Sequence, residues 1–228
     1  MKTFFKNLGL FVLIFFVWIL IAPISIALPL AIINNYIEVS IQAQRIFLML
    51  GELITIFFIF ILYKEEILKE LKKFKENILY YIETYFPYWI IMLVIMTVVA
   101  NIVEIFVKDG PANQNLIEEA IKQTPILIGI SVMTLAPLTE ELIFRLSLRK
   151  VFKNDIIYIL MSGLIFGFIH IIAGENIINE LPYLLTYSIP GFVFAYSYIK
   201  SKNIMVPIFL HFIHNTFATV IIFLTGVL

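Results

Sequence analysis

Three short motifs in the second half of the chain carry side chains that could do chemistry. Glutamate in a dry pocket can act as a general base on water, and histidine titrates close to neutral pH. Asparagine can donate to a developing oxyanion, and neutral imidazole can bind a divalent metal. These residue types therefore suit hydrolysis, or a metal or proton site. In chain order the motifs are Glu140-Glu141-x-x-x-Arg145, Phe166-x-x-x-His170 and His211-x-x-x-Asn215.

The spacing and depth of these residues favour a shared site. Residues four apart, such as Phe166 and His170, lie on one face of a helix. At a rise of 1.5 Å per residue, Glu140 lies about 13 Å from Arg149 at the inner end of its apolar run. His211 lies at a similar depth, which predicts that it and Glu140 sit near mid-membrane on different helices. A charge at that depth is costly, so each such residue is a functional hypothesis.

Structural interpretations compete with functional ones at several of these positions. Glu141 and Arg145 are four residues apart and suited to a buried ion pair that braces the helix. Glu140 has no second cation in its own helix, which favours a functional role. Phe166 is interpreted as a packing residue that steadies His170.

Three further polar residues in or near the apolar runs are interpreted as structural. His214 lies at a less favourable angle than His211 and suits a contact between helices. Glu52 and Glu104 have no constellation of polar residues around them in the sequence. We therefore expect both glutamates to be packing or interfacial residues.

The composition indicates an integral membrane protein. Hydrophobic residues make up 61% of the 228 residues, charged residues only 14%, and the mean hydropathy is +1.00. A soluble domain of this size has too much surface to cover with so few charges. The net charge of zero gives no support for a nucleic-acid partner. The absence of cysteine excludes disulfides, a thiolate nucleophile and cysteine-ligated zinc.

Seven apolar runs approach or exceed the roughly 20 residues that a helix needs to cross hydrocarbon. Basic residues concentrate in alternate connections, which predicts a cytoplasmic N-terminus and an outer C-terminus. We expect an all-α polytopic bundle of about seven transmembrane helices, N-in and C-out, in a prokaryotic plasma membrane. The predicted spans are Leu8–Ile33, Ile46–Tyr63, Pro87–Val107, Pro125–Leu148, Ile156–Ile172, Pro182–Ile199 and Ile204–Leu224.

Two connections carry amphipathic patterns. Between Lys64 and Phe86, apolar residues form one stripe among lysines and glutamates, which is typical of a helix on the bilayer surface. Asn115 followed by Glu118 predicts the start of a second helix. The chain would then divide into N-terminal transmembrane helices with a cytoplasmic amphipathic helix, residues 1–124, and catalytic helices of the same bundle, residues 125–228.

Taken together, the three motifs resemble those of the CPBP family. This CAAX-protease and bacteriocin-processing group, also called Abi, includes the Rce1-type prenyl-protein endopeptidases. The likeness covers about Pro125 to Leu224, with the motifs in the family's order and on three separate spans. Many members have a small residue directly after the arginine, where this chain has Leu146.

The resemblance implies an intramembrane endopeptidase that cuts a membrane-associated or lipidated peptide. The residues it implies around a water-filled cavity are Glu140, His170, His211 and Asn215. Glu140 with His170 would activate the attacking water, and His211 with Asn215 would stabilise the oxyanion. The lipid bilayer and a peptide or protein substrate are the partners expected.

The motifs leave metal dependence open, because glutamate can activate water unaided. If zinc or another divalent metal binds, its expected ligands are Glu140, His170 and His211. Three protein ligands plus water would suit catalytic zinc.

Two other classes of protein use the same residue types. One is a non-catalytic immunity or scaffold protein that sequesters a peptide, as some relatives are linked to bacteriocin immunity. The other is a proton- or ion-coupled transporter that uses the carboxylates and histidines as a relay. The sequence contains no internal repeat, so an inverted-repeat transporter gains no support. The three-motif likeness therefore favours the peptidase.

Overall fold

The computed structural model describes residues 2–33, 39–107, 110–172, 174 and 176–225. In this part of the chain all regular structure is helical. In chain order the helices are α1 (Lys2–Ile33), α2 (Ile41–Glu76), α3 (Ile78–Phe106), α4 (Ala112–Gln123), α5 (Pro125–Val151), α6 (Asp155–Ile171), α7 (Ile177–Glu180), α8 (Tyr183–Ser201) and α9 (Met205–Leu224). The expected all-α polytopic helix bundle is confirmed.

Five of these helices are long and apolar enough to cross a membrane, namely α1, α2, α3, α5 and α9. Helix α6 is apolar but has only 17 residues. Helix α8 has 19 residues and buries several hydroxyl groups, among them Thr186, Ser188 and Ser197. The count of seven spans and the N-in orientation stay predictions.

The boundary between α2 and α3 differs from the sequence prediction. The spanning part of α2 continues past Tyr63, where the backbone is kinked (φ −126°, ψ 20°), into the basic segment that ends at Glu76. Helix α3 then begins at Ile78, so the prediction of a helix start at Pro87 is wrong. The break falls at Asn77 because its side-chain amide donates to the Lys73 carbonyl, which lacks a helical partner at the end of α2.

Helix α4 starts three residues before the predicted Asn115. Its first backbone N–H, at Ala112, donates to both carboxylate oxygens of Glu180 at 3.3 Å. A negative charge at a helix N-terminus is favourable. Because Glu180 lies on α7, this contact across the fold has no signal in the sequence around α4.

Helices α6 and α8 pack at close range through small residues. A Cβ atom on Gly191 of α8 would lie 2.7 Å from the Cα of Gly163 on α6. A Cβ atom on Gly167 would lie 2.3 Å from the hydroxyl oxygen of Ser188. Small residues let helix backbones approach in membranes, where lipid tails provide no hydrophobic drive for association. This contact fixes the helix that carries Phe166 and His170.

Helix α5 contains two π-helical segments, Ser131–Leu135 and Leu142–Ser147. At the end of the first, the Ala136 N–H donates to the Ser131 carbonyl five residues back. Pro137 follows directly; it has no N–H, and its ring would clash with the carbonyl four residues earlier in a regular helix. The wider turn relieves this conflict. Single π turns are frequent at functional sites, and the sequence analysis did not anticipate these.

Candidate active site

The two glutamates of the first motif lie between the π-helical segments of α5. Ala136–Glu141 is a short α-helical stretch, so Glu140 and Glu141 stand where the helix widens again at Leu142. Each additional residue in a turn rotates the following side chains by about 100° around the axis. The π segments therefore decide which neighbouring helices the two carboxylates face.

Glu141 joins two motifs that are far apart in the chain. One carboxylate oxygen lies 2.9 Å from Arg145 Nε, and the other lies 2.9 Å from His211 Nδ1. The side chains of Glu141 and Arg145 are both 0% exposed. The ion pair expected from the four-residue spacing is therefore present, and Glu141 also contacts the imidazole on α9, which the sequence did not indicate.

The contact with Glu141 determines which nitrogen of His211 faces Glu140. A carboxylate paired with arginine is ionised and can only accept hydrogen bonds, so His211 Nδ1 carries the hydrogen. In neutral His211 the Nε2 atom then presents a lone pair. It lies 3.9 Å from a carboxylate oxygen of Glu140. That separation is too long for a direct hydrogen bond and suits a bridging water.

Glu140 differs from its neighbour in having an uncommitted oxygen. Its side chain is 15% exposed, and the oxygen that faces His211 is buried with no hydrogen-bond donor among the described residues. Buried carboxylate oxygens normally accept hydrogen bonds from protein or water. This oxygen is therefore suited to receive a hydrogen from a water or substrate.

His170 packs against the Phe166 ring. Its Nδ1 donates to the Phe166 carbonyl at 2.8 Å, and its ring stacks on Tyr187 with centroids 5.0 Å apart. The Phe166 ring lies 4.5 Å from the His170 ring and 5.7 Å from the His211 ring. Its face is also covered by the Arg145 guanidinium at 4.7 Å. Phe166 thus connects both histidines, which is a larger role than steadying His170.

The structure pairs Glu140 with His211 and leaves His170 farther away. Only His211 has a ring nitrogen within 4 Å of the Glu140 carboxylate among the described histidines. His170 interacts with Glu140 through longer-range electrostatics. The two residues expected to activate water together are therefore not in direct contact in this conformation.

Asn215 forms a hydrogen bond with a backbone carbonyl that the π turn leaves without a partner. In an α-helix the Val132 carbonyl would accept from Ala136, but Ala136 donates to Ser131 instead. The next residue, Pro137, has no N–H. The Asn215 amide nitrogen donates to the Val132 carbonyl at 2.9 Å. One of its two hydrogens remains for another acceptor.

The three residues that the sequence analysis interpreted as structural, His214, Glu104 and Glu52, differ in burial and in hydrogen-bond partners. His214 is partly buried, and its Nδ1 has no partner in the described part of the chain. Glu104 is exposed on α3, where a membrane protein faces lipid or its headgroups. Glu52 accepts a hydrogen bond from Ser131, in the first π segment, at 2.8 Å. The expectation that Glu52 has no polar constellation around it is therefore wrong, because Ser131 approaches it from a helix 79 positions later in the chain.

The proposed metal ligands do not form a metal site in this arrangement. No group of three or more histidines, aspartates or glutamates within the described ranges is close enough to hold a metal ion. His170 and His211 each commit Nδ1 to an oxygen, as metal-binding histidines do, but of these two only His211 has a ring nitrogen within 4 Å of the Glu140 carboxylate. The donor types fit a divalent metal, and their placement does not.

A cavity of about 340 Å³ lies away from these residues, at the end of the bundle where α1 begins. Phe4, Val151, Phe152 and Ile157 supply most of its apolar wall, and Lys150 and Lys153 lie at its polar part. None of the motif residues lines it.

Comparison with known proteins matches the part of the chain that carries this site. Residues 122–217 match the family model described as type II CAAX prenyl endopeptidase Rce1-like. A Bacillus subtilis (strain 168) protein named "Putative membrane peptidase YdiL" is 34% identical over 111 residues, which are 47% of this chain and 42% of the relative. An uncharacterized protein of Mycoplasma capricolum subsp. capricolum is 33% identical over 98 residues, which are 42% of this chain and 28% of the relative.

The matches cover less than half the length of these curated relatives. No solved structure matches the chain. The matched segment contains all three motifs, and the five apolar helices agree with a multi-pass membrane protein. The chain is therefore similar, through residues 122–217, to the Rce1-like proteins, in agreement with the resemblance of its three motifs to the CPBP family.

Proposed function

We propose that the chain is an intramembrane endopeptidase that hydrolyses a peptide bond in a membrane-associated or lipidated peptide or protein. The observation that supports this most is the facing pair of Glu140 and His211, 3.9 Å apart, with Glu141 fixing the imidazole from behind. The family likeness and the peptidase name of one relative support the same reaction class.

In the proposed mechanism a water binds between Glu140 and His211 through its two hydrogens. Both groups present acceptors, the carboxylate oxygen and the Nε2 lone pair, so the water oxygen is directed toward the substrate. As this oxygen attacks the carbonyl carbon, Glu140 takes one proton as general base. The peptide C–N bond then breaks, and the proton passes from Glu140 to the leaving nitrogen.

The remaining motif residues would act on charge and position. Asn215 has one amide hydrogen beyond the bond to Val132, and we assign this hydrogen to the oxyanion. The Glu141 carboxylate holds the His211 ring and would stabilise it if the ring gains a proton. His170, clamped between Phe166 and Tyr187, would line the side of the site from which the peptide binds.

The test is cleavage of two probes by the purified protein, with products identified by mass spectrometry. The probes are a prenylated CAAX-tail peptide and the same peptide without its lipid. Glu140→Gln should lower kcat about 10³-fold because the amide cannot accept the proton from water. Glu104→Gln, a change of the same type on the exposed face of α3, should leave kcat unchanged.

Retained cleavage in purified Glu140→Gln would reject the assignment of the base. Binding of both probes without cleavage by the wild-type protein would favour the non-catalytic peptide-binding alternative. A parallel reaction with a chelator addresses the metal hypothesis. Loss of activity that zinc restores would mean that Glu140, His170 and His211 rearrange to ligate a metal.

A further inference from the structure

Glu52 lies outside the segment that matches the family model, yet it contacts the helix that carries Glu140. It belongs to α2, whereas the matched segment begins at residue 122. Its carboxylate accepts a hydrogen bond from the Ser131 hydroxyl at 2.8 Å. An acidic residue at membrane depth is a functional hypothesis by default. The sequence interpretation of Glu52 as a packing residue leaves this contact unexplained.

Ser131 is the first residue of the π turn that positions two site residues. Its carbonyl accepts the Ala136 N–H across the turn, and its hydroxyl donates to Glu52. The same turn exposes the Val132 carbonyl that binds Asn215. Its end at Leu135 sets the rotation of the short helical stretch that leads to Glu140. A change in the turn would therefore move both Asn215 and Glu140.

Glu52 provides a fixed point for this turn on a neighbouring helix. One turn along α2, Thr55 is buried and donates to the Gly51 carbonyl, so this part of α2 packs closely inside the bundle. A π turn leaves backbone groups without their α-helical partners. Asn215 of α9 supplies such a partner to the Val132 carbonyl, and Glu52 of α2 holds the first residue of the turn through the Ser131 hydroxyl.

We propose that Glu52 is a positioning residue of the active site, which holds the π turn Ser131–Leu135 through its hydrogen bond with Ser131 and thereby places Glu140 and Asn215. This inference rests on the proposed peptidase function. It assigns a role in the reaction to the N-terminal half of the chain, which carries none of the three motifs. Glu52 acts through Ser131 and does not touch the substrate.

The test compares three variants in the peptide-cleavage assay. Glu52→Leu and Ser131→Ala each remove the hydrogen bond and should lower kcat about 10-fold or more with KM within about twofold, as changes to residues that orient a functional group do. Glu52→Gln keeps an acceptor oxygen and should retain most of the wild-type kcat. The double variant Glu52→Leu/Ser131→Ala should be no worse than either single one, because both changes break the same bond.

Glu104→Leu is the matched control, since it replaces an exposed glutamate on α3 in the same way. It should leave kcat unchanged. A merely structural role of Glu52 would lower the thermal stability together with kcat. We expect Glu52→Leu to melt at or above the wild-type temperature, because it removes a half-buried acidic group from an apolar helix. An unchanged kcat in Glu52→Leu, or an equal loss in Glu52→Gln, would overturn the proposal.

Backbone hydrogen exchange gives a readout that does not depend on peptidase activity. Amides of residues 131–136 should exchange about 10-fold faster in Glu52→Leu than in wild type or Glu104→Leu, because local opening follows the loss of local contacts. Unchanged exchange would overturn the proposal even if the chain cleaves no peptide. Cleavage by Glu140→Gln would instead refute the proposed base and leave the exchange result to decide on Glu52.

Discussion

The first three spanning helices are more apolar than the two spanning helices of the candidate site, α5 and α9, and they bury less of their surface inside the protein. In their most apolar 18-residue windows, 11% of α1 and 17% of α2 and α3 are buried inside the protein, against 33% of α5 and of α9. The first group therefore presents most of its surface to the bilayer. The second group encloses a network of carboxylate, guanidinium and imidazole groups.

The two groups of helices also differ in where they place polar and charged side chains. In the C-terminal half, the Glu141–Arg145 pair and His211 are buried among aromatic rings and each has a polar partner. In the N-terminal half, polar groups such as Asn101 bond to their own helix and face outward. Other N-terminal side chains bond across to the second group of helices: Glu52 to Ser131, Glu66 to Lys150 and Glu70 to the Ile204 N–H.

The largest effect is expected from breaking the buried ion pair. Arg145→Leu leaves the Glu141 carboxylate buried with only His211 as partner, which should lower the free energy of unfolding by about 3–5 kcal/mol. Arg45→Leu is the matched change on α2, where the guanidinium bonds Gln123 at an exposed site, and should cost about 1 kcal/mol or less. Denaturant unfolding in detergent measures both. Equal losses of unfolding free energy would mean that the buried ion pair of the C-terminal half contributes no more to stability than the exposed Arg45 contact of the N-terminal half.

The second-largest effect is expected at Asn215 and is compared with a change at Asn101. The side-chain amides of both asparagines donate to backbone carbonyls. Asn215→Leu removes the donor that serves Val132 and the proposed oxyanion, so kcat should fall about 10²-fold. Asn101→Leu removes a bond of 2.7 Å to the Thr97 carbonyl within α3 and should leave kcat unchanged. The rate of peptide cleavage is the measurement. A similar kcat for both variants would remove Asn215 from the proposed mechanism.

The smallest effect concerns close packing and compares two glycines. Gly191→Ala places a methyl group 2.7 Å from the Gly163 Cα, so α6 and α8 must separate, at a cost of about 1–3 kcal/mol. Gly9→Ala on α1 meets no atom within 4 Å and should stabilise the helix by roughly 0.5–1 kcal/mol. Thermal unfolding in detergent gives the sign of each change. Destabilisation by both would mean that α1 is packed as closely as α8.

The sequence predicted the helices better than their ends. Periodicity and hydropathy located the apolar runs, but the start of α3 at Ile78 and the start of α4 at Ala112 were missed. Asn77 ends α2 through a bond to Lys73, and Glu180 caps α4 from another helix. Capping by a distant residue leaves no local pattern to read.

The sequence predicted which residues belong to the candidate site better than it predicted which of them contact one another. Spacing of four residues indicated the Glu141–Arg145 contact, since neighbours on one helix are set by local geometry. It did not indicate that Glu141 would hold His211, that Asn215 would serve Val132, or that Glu52 would reach Ser131. These bonds join different helices.

By itself, the sequence determined that this chain forms apolar helices, that they are suited to a bilayer, and which ionisable side chains lie within them, because hydropathy and helical period are local properties of the chain. The tertiary structure decided which of two adjacent glutamates keeps a free oxygen and which histidine faces it. That choice depends on the rotation of each helix about its axis. In α5 the π turns before and after Glu140 set this rotation, and contacts with α2 and α9 hold it.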